Sequence, residues 1–191
     1  MTSWHSYTKI LALGHAGLAD LLKEPVLVEE KMDGSQFSFG VFTNTEDPTG
    51  QAIMCRSKGA MLNLVAPESL FIRAIETVKK IAPLLKLGYT YRAEYIAKPK
   101  HHAIAYDRTP KDYLMIFDIS PSQEAYLTWD EKKAEADRIG LECMPRLYEG
   151  MVTDETMFRT LLDTVSALGG SKVEGVVIKN YKRFGRDGKA M

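Results

Sequence analysis

Cysteine is scarce in this 191-residue chain: Cys55 and Cys143 stand far apart, each in an apolar stretch. Two such residues make no disulfide framework and no metal-type spacing, so they are expected to be buried, reduced thiols of a cytoplasmic protein. Net charge is missing as well, because 25 Lys and Arg balance 25 Asp and Glu. That balance excludes a histone-like binder held by bulk charge, yet it leaves room for a local basic groove. No apolar run reaches the roughly 18 residues of a membrane span, so none is expected. The N-terminal "MTSWHSYTKILALGHAGLADLL" is too polar early and too broken by Gly for a signal peptide. Internal repeats, low-complexity tracts and Pro/Ser-rich linkers are absent too, which leaves a single domain over residues 1–191 as the expectation.

What is present is an ordinary globular composition, 45% hydrophobic and 26% charged, long enough for one sizeable core. Residues 26–32 and 35–42 read as two strands around a turn at Asp33-Gly34, followed by a third strand at 52–57. The stretch 67–88 predicts a helix opened by Pro67 and Glu68, closed by Gly88 and bent near Pro83. Strands are predicted at 89–97, 112–119 and 172–181. "TWDEKKAEADRIG" predicts a helix with Thr128 and Glu131 as a capping box, its charges forming a solvent face. A further helix runs from an Asp154 cap to Gly169. Several strands follow one another without an intervening helix, which predicts an α+β fold with largely antiparallel sheets flanked by helices.

One residue sits oddly in this pattern. In "VEEKMDGSQFSFG", residues 28–40, Lys31 ends an apolar strand between Glu29 and Asp33. Strand parity places Glu29, Lys31 and Asp33 on one face, with Val26, Val28 and Glu30 on the other. Seen alone, Lys31 reads as a surface ion pair. As a nucleophile it would have to attack as the neutral amine, which neighbouring carboxylates oppose unless one of them holds a metal ion. Three more islands carry chemistry: Arg92 and Glu94 in "YRAEYIA", Phe117 and Asp118 in "MIFDI", and Glu174 to Lys179 in "VEGVVIK". Arg92 reads as a structural partner of Glu94. The odd separation of Glu174 and Lys179 calls for a bulge near Gly175 or a side chain reaching round a strand end. His101 and His102 read as a solvated loop.

In order along residues 26–180, "EEKMDG", "RSKG", "RAEY", "IFDI" and "EGVVIK" resemble the motifs of the covalent nucleotidyltransferases: ATP-dependent DNA ligases, RNA ligases and mRNA capping enzymes. The K-x-D-G element alone is common, but its combination with EGVVIK at this distance is specific. The resemblance implies a nucleotidyltransferase fold of the ATP-grasp-like ligase adenylation type. It implies lysyl-AMP formation at Lys31, with Lys31, Asp33, Glu94, Glu174 and Lys179 catalytic. Nucleotide binding would fall to Glu29, which meets the adenine amino group in that family, with Glu30, Arg56, Lys58, Phe117 as base platform, and Val177. Asp33, Glu94 and Glu174 would hold Mg²⁺ or Mn²⁺ beside ATP.

The family's last motif, a K-x-K-like pair, is matched poorly by Lys182 and Lys189, so it falls near or beyond the C-terminus. The lack of an OB-type module after the core favours RNA ligase, acting on 5′-phosphate and 3′-OH ends of RNA or on a nicked duplex, with no membrane partner. A DNA-ligase adenylation domain, a GTP-using capping domain and a non-catalytic nucleic-acid-binding protein of the same fold are the alternatives.

Overall fold

The alternation of "VLVEEK" becomes strand β1, Val26–Lys31, and the chain then turns at Met32–Gly34 into β2, Ser35–Thr43. The computed structural model describes residues 4–44, 46, 50–123 and 125–182. Strands β3 (Gln51–Ser57), β4 (Thr90–Tyr95), β5 (Leu114–Ser120), β6 (Glu142–Cys143), β7 (Arg146–Gly150) and β8 (Gly175–Lys179) follow. They form two sheets, β7-β1-β8 and β3-β2-β4-β5-β6, antiparallel throughout except for the β5–β6 pair. Because β1 and β2 belong to different sheets, the turn after Lys31 is the hinge between them. Gly34 is needed there for closeness: a Cβ would stand 2.7 Å from the Tyr95 carbonyl and 2.8 Å from Glu94 Cγ.

Three apolar clusters fix the sheets. Phe37, Phe39, Tyr91 and Tyr95 leave one face of the larger sheet and pack on α1, Ile72–Ile81, through Ile75 and Val78. Helix α1 is apolar at Ala74, Ile75, Val78 and Ile81, the 3-4 spacing of one buried stripe. Met32, Ile96, Met115 and Met144 make a second cluster under the hinge. Val26, Val28, Val176 and Ile178 make a third, beneath the smaller sheet, closed by Phe158 of α3, Met157–Leu161. Cys55 is buried and Cys143 half-buried; both are free thiols, pushed by burial up to about 12 and about 11.

Local details depart from the sequence pattern. The predicted 67–88 helix is regular only over α1, with 3₁₀ turns at Ser69–Phe71 and Ala82–Leu84, the latter imposed by Pro83. The predicted 154–169 helix stops at Leu161. Beyond it, Ser166 and Ala167 are drawn onto the buried Glu30 carboxylate instead of continuing the helical ladder. The strand expected from 112 begins at Leu114, since Asp112 and Tyr113 adopt positive φ of 52° and 68°.

Helix α2, Trp129–Ile139, has the predicted capping box, and Gly140 ends it at φ 79°. Its charges are not all solvated, however. Lys132 is fully buried and Glu135 is 4% exposed, on the same stripe as Ala136 and Ile139. Burial alone would raise the Glu135 carboxyl, but Arg138, Tyr91 and Lys86 outweigh it and hold it at about 2.

Candidate active site

Pairing of β1 with β8 sets Lys31 opposite Gly175, Glu29 opposite Val177 and Leu27 opposite Lys179, so these residues share one face. In the neighbouring sheet, Gln36 lies opposite Glu94, and Lys58 follows the Phe37–Ser57 pair. The two faces enclose a cavity of about 230 Å³. Lys31 stands at its half-exposed mouth and donates a hydrogen bond to Glu174. Glu174 precedes the first residue of β8, so it is free of that strand's parity. No bulge is needed for Glu174 and Lys179 to share the cavity, and the β1–β8 register runs without a shift.

The cavity floor is ionic. Glu29 is 1% exposed, and its two oxygens accept from Lys132 and Lys179. Each of those lysines also donates to the Phe117 carbonyl at 2.7 Å. Lys179 lies 3.3 Å from Asp118, which in turn accepts from Tyr7 and Tyr181. Burial would raise the Asp118 carboxyl, but Lys179, Lys132 and the two phenols pull it below its usual value. Burial works against the Lys179 ammonium, and Asp118 and Glu29 more than offset that, so its pKa is raised.

Glu94 is different. Burial, with the nearby charges of Glu174 and Asp33, lifts its carboxyl from 4.5 to about 8, although Lys31 opposes the shift. Between those two values the folded chain keeps a proton that the unfolded chain has lost, so stability falls as pH rises through that window. Glu94→Gln is therefore expected to melt like wild type near pH 5. At pH 8.5 in EDTA it should be more stable by on the order of a few kcal/mol. Melting curves at the two pH values check this, and an equal difference at both would contradict a desolvated carboxylate.

A protein-family model described as RNA ligase matches residues 24–191. The chain belongs to the RNA ligase family. A search of curated proteins found no match. Among solved structures, "Naegleria gruberi RNA ligase with PPi" is similar with a TM-score of 0.70 at 16% identity, covering 93% of this chain and 53% of that one. A lysine-to-alanine mutant of the same ligase with ATP and Mn gives 0.68 at 17% identity, covering 93% and 52%. A glutamate-to-alanine mutant with AMP and Mn gives 0.68 at 16%, covering 92% and 52%. These likenesses show the fold, and this RNA-ligase-family chain spans about half the length of the solved relative.

Of the residues expected at the site of an RNA ligase, Glu29, Lys31, Asp33, Lys58, Glu94, Phe117, Glu174, Val177 and Lys179 surround the cavity. Arg56 does not line it: its register partner is Ser38, one row farther out. Glu30 contributes to the wall, yet its carboxylate turns to Ser166 and the Ala167 amide on the opposite side of β1. Glu29 lines the cavity with one ammonium on each of its oxygens, which leaves each oxygen a second lone pair to accept with. Arg92 shares the face of Glu94 without pairing with it; its guanidinium donates to the His5 carbonyl at 3.2 Å.

Asp33, Glu94 and Glu174, the three carboxylates expected to serve a metal, all line the cavity. Asp33 lies past the end of β1, and its Oδ2 accepts from the Ala103 and Ile104 amides at 2.6 and 2.7 Å. Among the described residues no three His, Cys, Asp or Glu converge on one point. Glu94 and Glu174 stand beside Lys31, and the raised Glu94 carboxyl is the donor a cation there would satisfy. The His101-His102 pair is no free loop: both rings meet Ser35 Oγ, at 3.1 and 3.3 Å, next to the hinge. Of the lysines weighed for the last motif, Lys182 is exposed and Lys189 lies outside the described residues. No described helix is long and apolar enough to cross a membrane.

Proposed function

We propose that this chain is the adenylation domain of an ATP-dependent RNA ligase, with Lys31 as nucleophile. The observation that carries the reading is Lys31 at the cavity mouth, hydrogen-bonded to Glu174 and near Glu94, above a floor of paired ammonium groups. The Lys31 amine attacks the α-phosphorus of ATP, a P–N bond forms and pyrophosphate leaves. Glu174 is placed to accept the proton that the ammonium must lose. Lysyl-AMP then gives its AMP to an RNA 5′-phosphate, and a 3′-OH displaces AMP to seal the ends.

Phe117 offers its ring to the base, and Lys58 and Lys179 offer charge to phosphate. Glu94 and Glu174 are the residues that would hold a divalent ion, which when bound draws charge from the phosphoryl oxygens. ATP divides into AMP and PPi on nucleotidyl transfer, and the similar Naegleria gruberi ligase has been solved with each of the three.

Intact-mass measurement after mixing with ATP and Mg²⁺ tests the reading. One AMP adduct, absent with GTP, is the expected result. No adduct would favour a non-catalytic binding protein, and equal labelling by GTP the capping alternative.

A further inference from the structure

The family match begins at residue 24, yet two residues of the cavity wall, Tyr7 and Ile10, come from before it. The segment around them is held down at several points. Trp4 packs edge-on to Phe42 with ring centres 5.2 Å apart, and Arg92 reaches the His5 carbonyl. The Arg92 guanidinium also lies over the Tyr7 ring at 5.3 Å, while the Tyr7 hydroxyl donates to Asp118. Arg92 and Asp118 face each other across β4 and β5 and are both fully buried, so the segment acts as the cover of a buried charged row.

From that anchorage the Tyr7 ring meets Phe117 edge-on, 5.1 Å between centres and 68° between planes. Lys179 sits over the Phe117 ring at 5.4 Å. Phe117 is thus wedged between the segment and the ionic floor. Ile10, 55% exposed, places an apolar side chain at the rim beside them.

We infer that residues 4–10 form a strap that completes the nucleotide site, with Tyr7 setting the orientation of the Phe117 base platform and Ile10 closing its rim. The inference rests on reading the cavity as the nucleotide site. Tyr7 acts through Phe117 and is a positioning residue; Ile10 supplies apolar contact to a base or ribose. An edge-to-face ring contact and its attached hydrogen bond account for about a tenfold difference in binding.

The test measures the ATP dependence of lysyl-AMP formation in wild type, Tyr7→Ala, Tyr7→Phe and Ile10→Glu. Tyr7→Ala is expected to raise the KM for ATP about tenfold while changing the saturated rate less than about threefold. Tyr7→Phe keeps the ring and is expected to restore most of the affinity. Ile10→Glu alters an exposed position, so it folds whether or not Tyr7→Ala does, and it should raise the KM by a similar factor.

Unchanged KM in Tyr7→Ala and Ile10→Glu, with wild-type labelling intact, overturns the strap and leaves the ligase reading standing. A lower KM in Tyr7→Ala makes the strap a plug and overturns it as well. A wild-type chain that forms no lysyl-AMP removes the ligase reading first, and the strap's nucleotide role with it.

Discussion

Lys31→Ala is expected to abolish lysyl-AMP formation completely while the protein still folds and still binds ATP. The stability cost should be small. Lys31 is half-exposed, and its pair with Glu174 joins side chains 42% and 30% exposed, a class of ion pair worth about 0–1 kcal/mol. Its methylenes pass 3.6 Å from where a Gly175 Cβ would stand, an ordinary contact that holds no core together. The chemical cost is total, since no other amine of the cavity is placed to attack. Lys179 is 5% exposed and shared between Glu29 and Asp118. Lys132 is fully buried, shared between Glu29 and the Phe117 carbonyl. Lys58 comes from the opposite sheet.

Lys31→Arg separates two roles of the residue. It keeps a cation beside Glu174 and Glu94 but supplies no nucleophilic amine, so it should bind nucleotide and also fail to label. Intact mass and equilibrium ATP binding read the two quantities separately. Full labelling of Lys31→Ala would move the nucleophile elsewhere and sink the assignment.

Much of this site is legible because strands alternate. The parity of β1 sends Glu29 and Lys31 to one face and Val26 and Val28 to the other, which is where the structure has them. Asp33 lines the same cavity from past the strand's end at Lys31, where its placement answers to hydrogen bonds and not to alternation, here two amides of the 101–106 segment. Lys132 was legible in principle. It lies four and seven residues before Ala136 and Ile139, the helical spacing of a buried stripe, but the surrounding charges hide it.

Tyr7 carries no comparable signal. Its role arises from a long-range contact with Asp118, 111 residues away, and no local periodicity encodes that. Strands β6 and β7 are two and five residues long, too short for alternation to stand out.

The second large effect concerns the cavity floor, where Glu29→Gln is expected to destabilise the fold by roughly 3–5 kcal/mol. Glu29 and Asp118 oppose Lys132 and Lys179, all at most 5% exposed, so two buried carboxylates balance two buried ammonium groups. The amide keeps the shape of Glu29 and removes one negative charge, leaving a surplus ammonium with no water to solvate it. Arg92 aggravates the surplus, because its guanidinium already lies near Asp118 in the same buried row. For a chain of this length the loss corresponds to a drop in Tm on the order of 10 °C. Adding Lys132→Met to Glu29→Gln leaves one carboxylate facing one ammonium again and places an unbranched apolar side chain in the space. That double variant should regain more than half of the lost stability, as removing both partners of a buried pair costs far less than removing one. Thermal melts of wild type, both single variants and the double variant decide the matter. If Glu29→Gln melts with wild type, the four charges are not coupled. If the double variant adds the two single losses together, Lys132 stabilises the floor through packing and not through Glu29.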